Sequence, residues 1–361
     1  IIRFVPSYKE QTFDELTKTS LNWDCPLPVY SQTTIDFLND LSQLINEDKK
    51  IASDPELAAL AFWLREKNIT NLVAQQIKLL SPNKLKAPKG TIFLIPPTNV
   101  GSLFCYQMAL ALLSGNRIII RLSLNTPENS HELCKIVESL LGKNCYQLIA
   151  QNLRIFSYEH SNEITEYFSQ QCDLRVIWGG DETVRRVRQI PLSARAADIS
   201  FSDRFSWTSV NASEFLKLEG TGLTDVVRRI ISEMFLFDQK ACSSPKILCW
   251  IGDETIISLA SKKLRNEISA TQHNRPLAGQ LGNAVEKQDS LYSLMAYAPD
   301  CQLLENNSQF SQLLINQATS TTVDHIREQH NGNGLIVELR YQQLLEISKL
   351  LSHKDQTLTH F

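Results

Sequence analysis

The run 238–245, DQKACSSP, places a cysteine, Cys242, between a stretch of helical apolar period and an aliphatic run, with the small residues Ala241 and Ser243 on either side. A thiol at such a junction leaves an acyl carbonyl room to approach the sulfur, and the turn leaves backbone N–H groups to hold an oxyanion. That is the requirement of thioester chemistry. The ordinary alternative for a cysteine is a small buried hydrophobe. Cys105, Cys134, Cys172 and Cys249 sit in apolar periodic or strand contexts that assign them to it, whereas Cys242 does not.

A second constellation runs through 95–127, IPPTNVGSLFCYQMALALLSGNRIIIRLSLNTP. Pro96 and Pro97 fix a turn after an apolar run, Thr98 follows, and Asn99 stands at the mouth of a helix with an amide able to donate to an oxyanion. Gly115 and Asn116 close that helix, and the next strand ends in Arg121 and Ser123. Strand ends of an open α/β sheet are where nucleotides dock, so Arg121 can grip a phosphate with Ser123 donating beside it. Taken singly, Asn99 reads equally as a helix cap and Arg121 as a solvated strand end. A third turn, VIWGGDETV, sets Gly179 and Gly180 between a strand and a helix, where backbone can approach a phosphate closely. The G-x-G-x-x-G fingerprint of a dinucleotide fold is absent. The eight cysteines (25, 105, 134, 145, 172, 242, 249, 301) form no C-x-x-C pair and have no His at zinc-ligand spacing, so no metal site is expected.

The elements that must position these residues are read from periodicity. Residues 1–85 read mostly as helix, with an apolar period of three to four through 34–45 and 57–80. From Gly90 short aliphatic runs alternate with longer amphipathic ones, the signature of a parallel sheet. Strands are expected at 91–95, 117–122, 153–157 and 175–178, with helices at 101–114, 126–141, 163–171 and 182–189. An extended stretch over 198–210 reads as a domain crossing. A helix at 223–237, a strand at 246–251, a helix at 254–268, a strand at 335–339 and a helix at 341–351 complete the pattern, with 269–287 unassigned. There is no internal repeat.

A chain of 361 residues has room for about two domains at roughly 150 residues each. With 36 Lys and Arg against 39 Asp and Glu, a net charge of −3, no basic excess points to nucleic-acid phosphates. No run approaches the roughly 18 apolar residues of a membrane span. The start, IIRFVPSYKE, lacks the basic and apolar regions of a secretory signal, and the scattered cysteines fit a reduced, cytoplasmic chain. Neither end carries a signal of completeness.

In order and spacing these segments resemble the aldehyde dehydrogenase superfamily over 87–251, and DQKACSSP is similar to the Q-x-A-C-S-S-P run around the nucleophile of LuxC-type long-chain fatty acyl-CoA reductases. The resemblance implies an α/β fold in which a doubly wound cofactor-binding domain, with its helical lead-in, covers 1–200 and an α/β catalytic domain covers 201–361, with the active site in a cleft between them. It places the superfamily's P-W-N turn on Pro97, Thr98 and Asn99, its G-N-x-V-V-x-K-P-S-E-x-T-P run on 115–127, and its F-T-G-S turn on 177–180. Asn99 then becomes the side-chain donor of the oxyanion hole, Arg121 stands where a cofactor-binding Lys is usual, Ser123 matches the Ser, and Gly179 and Gly180 lie over the pyrophosphate. Leu124 replaces the Glu that holds the adenosine ribose in many NAD-using members. With no carboxylate there to repel a 2′-phosphate and Arg121 available to bind one, NADP is the expected cofactor. The general-base Glu of aldehyde-oxidising members falls near Ser200, so water is poorly activated, and Val184 stands where many members carry a second Gly. No residue matches the Glu that contacts the nicotinamide ribose, Glu305 and Glu338 being the nearest candidates.

The implied activity is reduction of a fatty acyl-CoA to the aldehyde with NADPH through a Cys242 thioester. Family likeness also implies a homo-oligomer and an acyl-protein synthetase that hands over the acyl group. The competing readings are a related reductase of an acyl phosphate such as glutamyl phosphate, a Cys242-dependent acyltransferase without a redox step, and a non-catalytic α/β interaction protein.

Overall fold

The computed structural model describes residues 1–18, 26–81, 83–273 and 281–361. Cys25 and part of the unassigned stretch 269–287 lie outside the described residues. The chain divides into two compact units, Ile1–Ser202 and Asp203–Phe361.

The first unit is built on seven strands: β1 (Ile2–Val5), β2 (Lys9–Glu10), β3 (Thr91–Ile95), β4 (Arg117–Leu122), β5 (Leu153–Ser157), β6 (Leu174–Trp178) and β7 (Ala197–Phe201). Their order across the sheet is β2-β1-β5-β4-β3-β6-β7, and β3 to β7 run parallel. Counted from β3, the five parallel strands follow the 3-2-1-4-5 order of a doubly wound sheet, whose switch point lies between β3 and β6. β3 is buried at every residue and β4 at four of its six, because helices cover both faces of the sheet. That coverage explains why these strands read as aliphatic runs without alternation.

Helices Gln32–Glu47, Pro55–Leu64, Leu103–Leu113 and Glu128–Leu141 share one core with β4 and β5. Their starts are set locally: Ser31 accepts from the Thr34 N–H, and Asp54 accepts from the Glu56 N–H with Pro55 in the first helical position. At the other edge Arg175, fully buried, joins β6 to β7 through a two-pronged pair with Asp198 (2.7 and 2.8 Å) and a bond to the Ser169 hydroxyl (2.9 Å). The first residues depart from the helical expectation. β1 pairs antiparallel with β5 and with β2, using the hydrogen-bonding edge that β5 would otherwise expose. A four-residue run offers no period to weigh against helix.

The second unit holds β8 (Phe205–Asn211), β9 (Pro245–Ile251), β10 (Gln302–Asn306), β11 (Ser311–Leu314), β12 (Leu335–Tyr341) and β13 (Asp355–His360), in the order β10-β11-β12-β9-β8-β13. Only β10 runs antiparallel to its neighbour. Helices Gly220–Phe235 and Glu254–His273 supply Val227, Ile230, Leu264 and Ile268 to one core, and helices Leu281–Tyr297 and Ser320–Gln329 supply Leu291, Leu294, Val323 and Ile326 to another.

The extended stretch 198–210 spans the boundary between the two units: it is β7 and β8, strands of different sheets, parted between Ser202 and Asp203. One expectation is corrected here. The helix expected over 341–351 is a 3-10 turn at Leu344–Lys349, because Tyr341 stays in β12 paired with Ile251 and its carbonyl accepts from the Gly252 N–H. Sheet pairing overrides the helical period of that segment.

Candidate active site

In the first unit the parallel direction of the strands gathers their following turns at one edge of the sheet. The turn after β3 carries Pro97, Thr98 and Asn99, with Thr98 and Asn99 exposed. The N-cap position of the following helix is Ser102, three residues beyond Asn99. At the end of β4, Arg121 is partly buried and donates from Nη2 to the Tyr158 carbonyl (3.2 Å), with its guanidinium 5.2 Å from the Tyr158 ring. Ser123 turns its oxygen to the Asn125 N–H at 3.3 Å, which leaves its proton free to donate elsewhere. Gly179 and Gly180 open the helix Asp181–Arg188, and space is clear beside Gly180.

The structure adds two residues that the sequence reading missed. Arg186 Nη2 donates to His160 Nδ1 at 3.0 Å, and Arg121 Nη2 approaches the same nitrogen at 3.5 Å. Arg121, His160, Thr183 and Arg186 line one cleft. Among the described residues no carboxylate pairs with Arg121, His160 or Arg186. Burial and the two guanidinium charges lower the pKa of His160, and its Nδ1 accepts from Arg186. Two unpaired guanidinium groups converging on a cleft suit a phosphate dianion. The N-terminus of helix Asp181–Arg188, by contrast, carries Asp181 and Glu182 in its first turn, and these carboxylates compete with an anion for the helix dipole. The arginine end of the cleft is therefore the stronger anion grip. A cavity of about 440 Å³, lined in part by Tyr30, Leu72, Lys86 and Leu113, opens elsewhere in this unit and includes none of these groups.

In the second unit the site sits on the opposite kind of edge. Cys242 precedes β9, so it lies at the N-terminal edge of a parallel sheet, where the start of β8 and the loop before β12 also arrive. Cys105, Cys134, Cys172 and Cys249 are buried, and burial pushes their thiols up, that of Cys172 to about 11 and the other three further. They stay protonated and unreactive. Cys242 is exposed. Exposure alone does not single it out, because Cys145 is exposed as well.

What distinguishes Cys242 is its backbone. Phe237, Asp238 and Gln239 all adopt left-handed conformations, with φ of 56°, 52° and 61°. Each costs roughly 1–2 kcal/mol for a residue with a side chain, so the surroundings must hold the turn. Asp238 O accepts from the Asn333 N–H (2.7 Å), the Asp238 carboxylate accepts from Asn283 (2.9 Å), and Lys240 pairs with Glu286 (3.0 Å). Among the described residues the Cys242 N–H has no hydrogen-bond partner, which leaves it to an incoming oxyanion. Lys246, four residues on, stands 5.5 Å from the Phe205 ring centroid. Burial pulls its pKa down, and the charges of Asp203 and Cys242 act in the opposite direction. Glu338 is excluded as a cofactor ligand: it is fully buried in β12, bound by Arg340 at 2.8 Å, by Ser261 at 2.6 Å and by Gln312.

His330, in the loop before β12, is fully enclosed, accepts from the Gly332 N–H at Nδ1 (3.1 Å) and donates from Nε2 to Leu335 O (2.9 Å). Burial, reinforced by the charge of Lys246, brings its pKa down to about 3. Below about pH 6.5 the unfolded chain takes up a proton that folded His330 refuses, so stability is lost as pH falls from there toward 3. In urea titrations, His330→Gln should flatten the fall in stability between pH 6 and 4 by up to ~1.4 kcal/mol per pH unit. Parallel wild-type and variant curves would contradict the enclosed, neutral imidazole.

Set beside solved structures, the chain has the fold of the aldehyde dehydrogenases. It is similar to the NAD⁺ complex of aldehyde dehydrogenase from Bacillus cereus (13% identity, 91% of this chain and 72% of that one, TM-score 0.62). It is also similar to aldehyde dehydrogenase 21 from Physcomitrella patens in complex with the reaction product succinate (12%, 95% and 76%, 0.64) and to PnpE in complex with nicotinamide adenine dinucleotide (14%, 92% and 74%, 0.67). No curated protein matches the chain. The family model of the acyl-CoA reductases (LuxC) matches residues 30–307, and the chain belongs to that family. It is accordingly an oxidoreductase of acyl and aldehyde groups. No helix among the described residues is long and apolar enough to cross a membrane.

Proposed function

We propose that this protein reduces long-chain fatty acyl-CoA to the fatty aldehyde with NADPH. The observation that carries the reading is Cys242, an exposed thiol on a braced turn whose own N–H is open. The Cys242 sulfur attacks the thioester carbonyl, and the oxyanion is held by the Cys242 N–H and the Asn99 amide. The C–S bond to CoA breaks, CoA leaves as thiolate, and the acyl group remains on Cys242. When bound, the reduced cofactor supplies a hydride to the acyl carbon. The resulting hemithioacetal oxyanion rests on the same donors until it collapses, releasing aldehyde and the Cys242 thiolate. The Glu of aldehyde-oxidising enzymes is absent from the position matching Ser200, which protects the thioester from water.

The unpaired Arg121 and Arg186 support a 2′-phosphate, and with it NADP over NAD. Pro97, Thr98, Ser123, Gly179 and Gly180 complete the proposed cofactor contacts. A synthetase that donates the acyl group and a homo-oligomeric state remain part of the same proposal, as does a cytoplasmic site of action.

The reading is tested by mixing the protein with myristoyl-CoA and either NADPH or NADH, then following cofactor oxidation and aldehyde release. NADPH should be preferred, with one aldehyde per NADPH consumed; CoA release without NADPH loss would instead mark an acyltransferase. Independently of turnover, Arg186→Ala should weaken binding of 2′,5′-ADP by about 10- to 100-fold, the worth of one charge-assisted hydrogen bond, while barely changing that of 5′-AMP. Equal losses for both nucleotides would remove the arginines from cofactor choice.

A further inference from the structure

The turn that carries Cys242 is closed on itself by one side chain. Gln239 is fully buried, and its Nε2 donates across the turn to Pro245 O at 2.9 Å. Its Oε1 accepts from the Gly334 N–H at 3.2 Å, so both ends of the amide are used. From the other side Ser206, also fully buried, donates its hydroxyl to the Cys242 carbonyl at 2.7 Å. The loop before β12 is pressed onto the same backbone. A Cβ on Gly332, whose φ is +82°, would lie 2.8 Å from Gln239 O and 2.9 Å from Asp238 O. Only glycine allows that approach.

These contacts bear on direction more than on reach. The sulfur swings about its own side-chain bond, but the Cys242 N–H moves only with the backbone. Closing the turn from 239 to 245 and pinning the Cys242 carbonyl restrain the backbone on both sides of that N–H. An oxyanion donor is effective only when it is already aimed at the place where charge develops.

We propose that Gln239 is a positioning residue, whose amide braces the nucleophile turn so that the Cys242 N–H is fixed as an oxyanion donor, with Ser206 as the second brace. The proposal rests on the reading of Cys242 as the acylated nucleophile. It gives the Gln of the Q-x-A-C-S-S-P run a mechanical role and couples the turn to the glycine-flanked loop 331–334.

The test compares two reactions of the same sulfur in the full chain. Acylation by myristoyl-CoA passes through an oxyanion; alkylation by iodoacetamide does not. Gln239→Met keeps the volume and removes both hydrogen bonds, and Ser206→Ala releases the carbonyl alone. Each variant should acylate at least about tenfold more slowly than wild type, approaching the 10²-fold that loss of one oxyanion donor costs, while its alkylation rate stays within about twofold. If Gln239→Met does not fold, as judged by its thermal transition, Ser206→Ala must show the split by itself. A parallel fall in both reactions, or no fall in acylation, overturns the positioning role and leaves Cys242 as nucleophile intact. A wild-type protein that is alkylated yet takes no acyl group overturns the acyl-enzyme reading, and this role with it.

Discussion

Cys242→Ala should take up no acyl group at all from radiolabelled myristoyl-CoA, while its thermal transition stays close to that of the wild type. Cys242 is exposed, and its side chain fills no part of either core of the second unit, so truncating it opens no cavity. The loss is confined to chemistry. Without the sulfur there is no atom to form the thioester, and NADPH oxidation driven by acyl-CoA should fall to background. The buried cysteines cannot substitute, because burial holds the thiols of Cys105, Cys134, Cys172 and Cys249 protonated. Cys145, being exposed, is the control: Cys145→Ala should acylate at the wild-type rate. Label retained by Cys242→Ala and lost from Cys145→Ala would transfer the nucleophile to the other sulfur.

Asn99→Ala should lower the rate of acyl transfer by about 10²-fold or more, the usual consequence of removing one oxyanion-hole donor. Because Asn99 is exposed and lies outside the helix that begins at Leu103, folding should survive. The decisive comparison is between kcat and KM. A donor that acts on the oxyanion lowers kcat and leaves KM for acyl-CoA near the wild-type value. An effect confined to KM would make Asn99 a ground-state contact and remove it from the oxyanion hole.

The parts of the fold legible in the sequence share one property, burial on both faces of a parallel sheet. β3, β4 and β5 are aliphatic runs bounded by turn residues, and they begin and end where the composition changes. β10, β11 and β13 were not legible, being short or at a sheet edge, with too few residues for a period to show. The segment 341–351 has a helical pattern that lost to register, since β12 continues until its pairing with β9 ends.

The candidate site divides the same way. Cys242, Asn99 and Arg121 are legible because each stands in a run whose residue types match a chemical demand. His160 and Arg186 are not, because 39 and 26 residues separate the members of that cluster along the chain. They meet only because β4, β5 and β6 run parallel: Arg121 lies near the end of β4, His160 follows β5, and Arg186 reaches across from the last turn of the helix after β6.

By itself the amino-acid order determined where Cys242, the asparagine turn and the strand-end arginine lie, because these depend on neighbours within a few residues. Only the tertiary structure decided that the Cys242 turn sits at the N-terminal edge of the second sheet, and that three left-handed residues before Cys242 are held by a loop almost a hundred positions away. Local preference disfavours that backbone. Hydrogen bonds from Gly334 and Asn333, together with the absence of a side chain at Gly332, come from a distant strand and supply what local preference lacks.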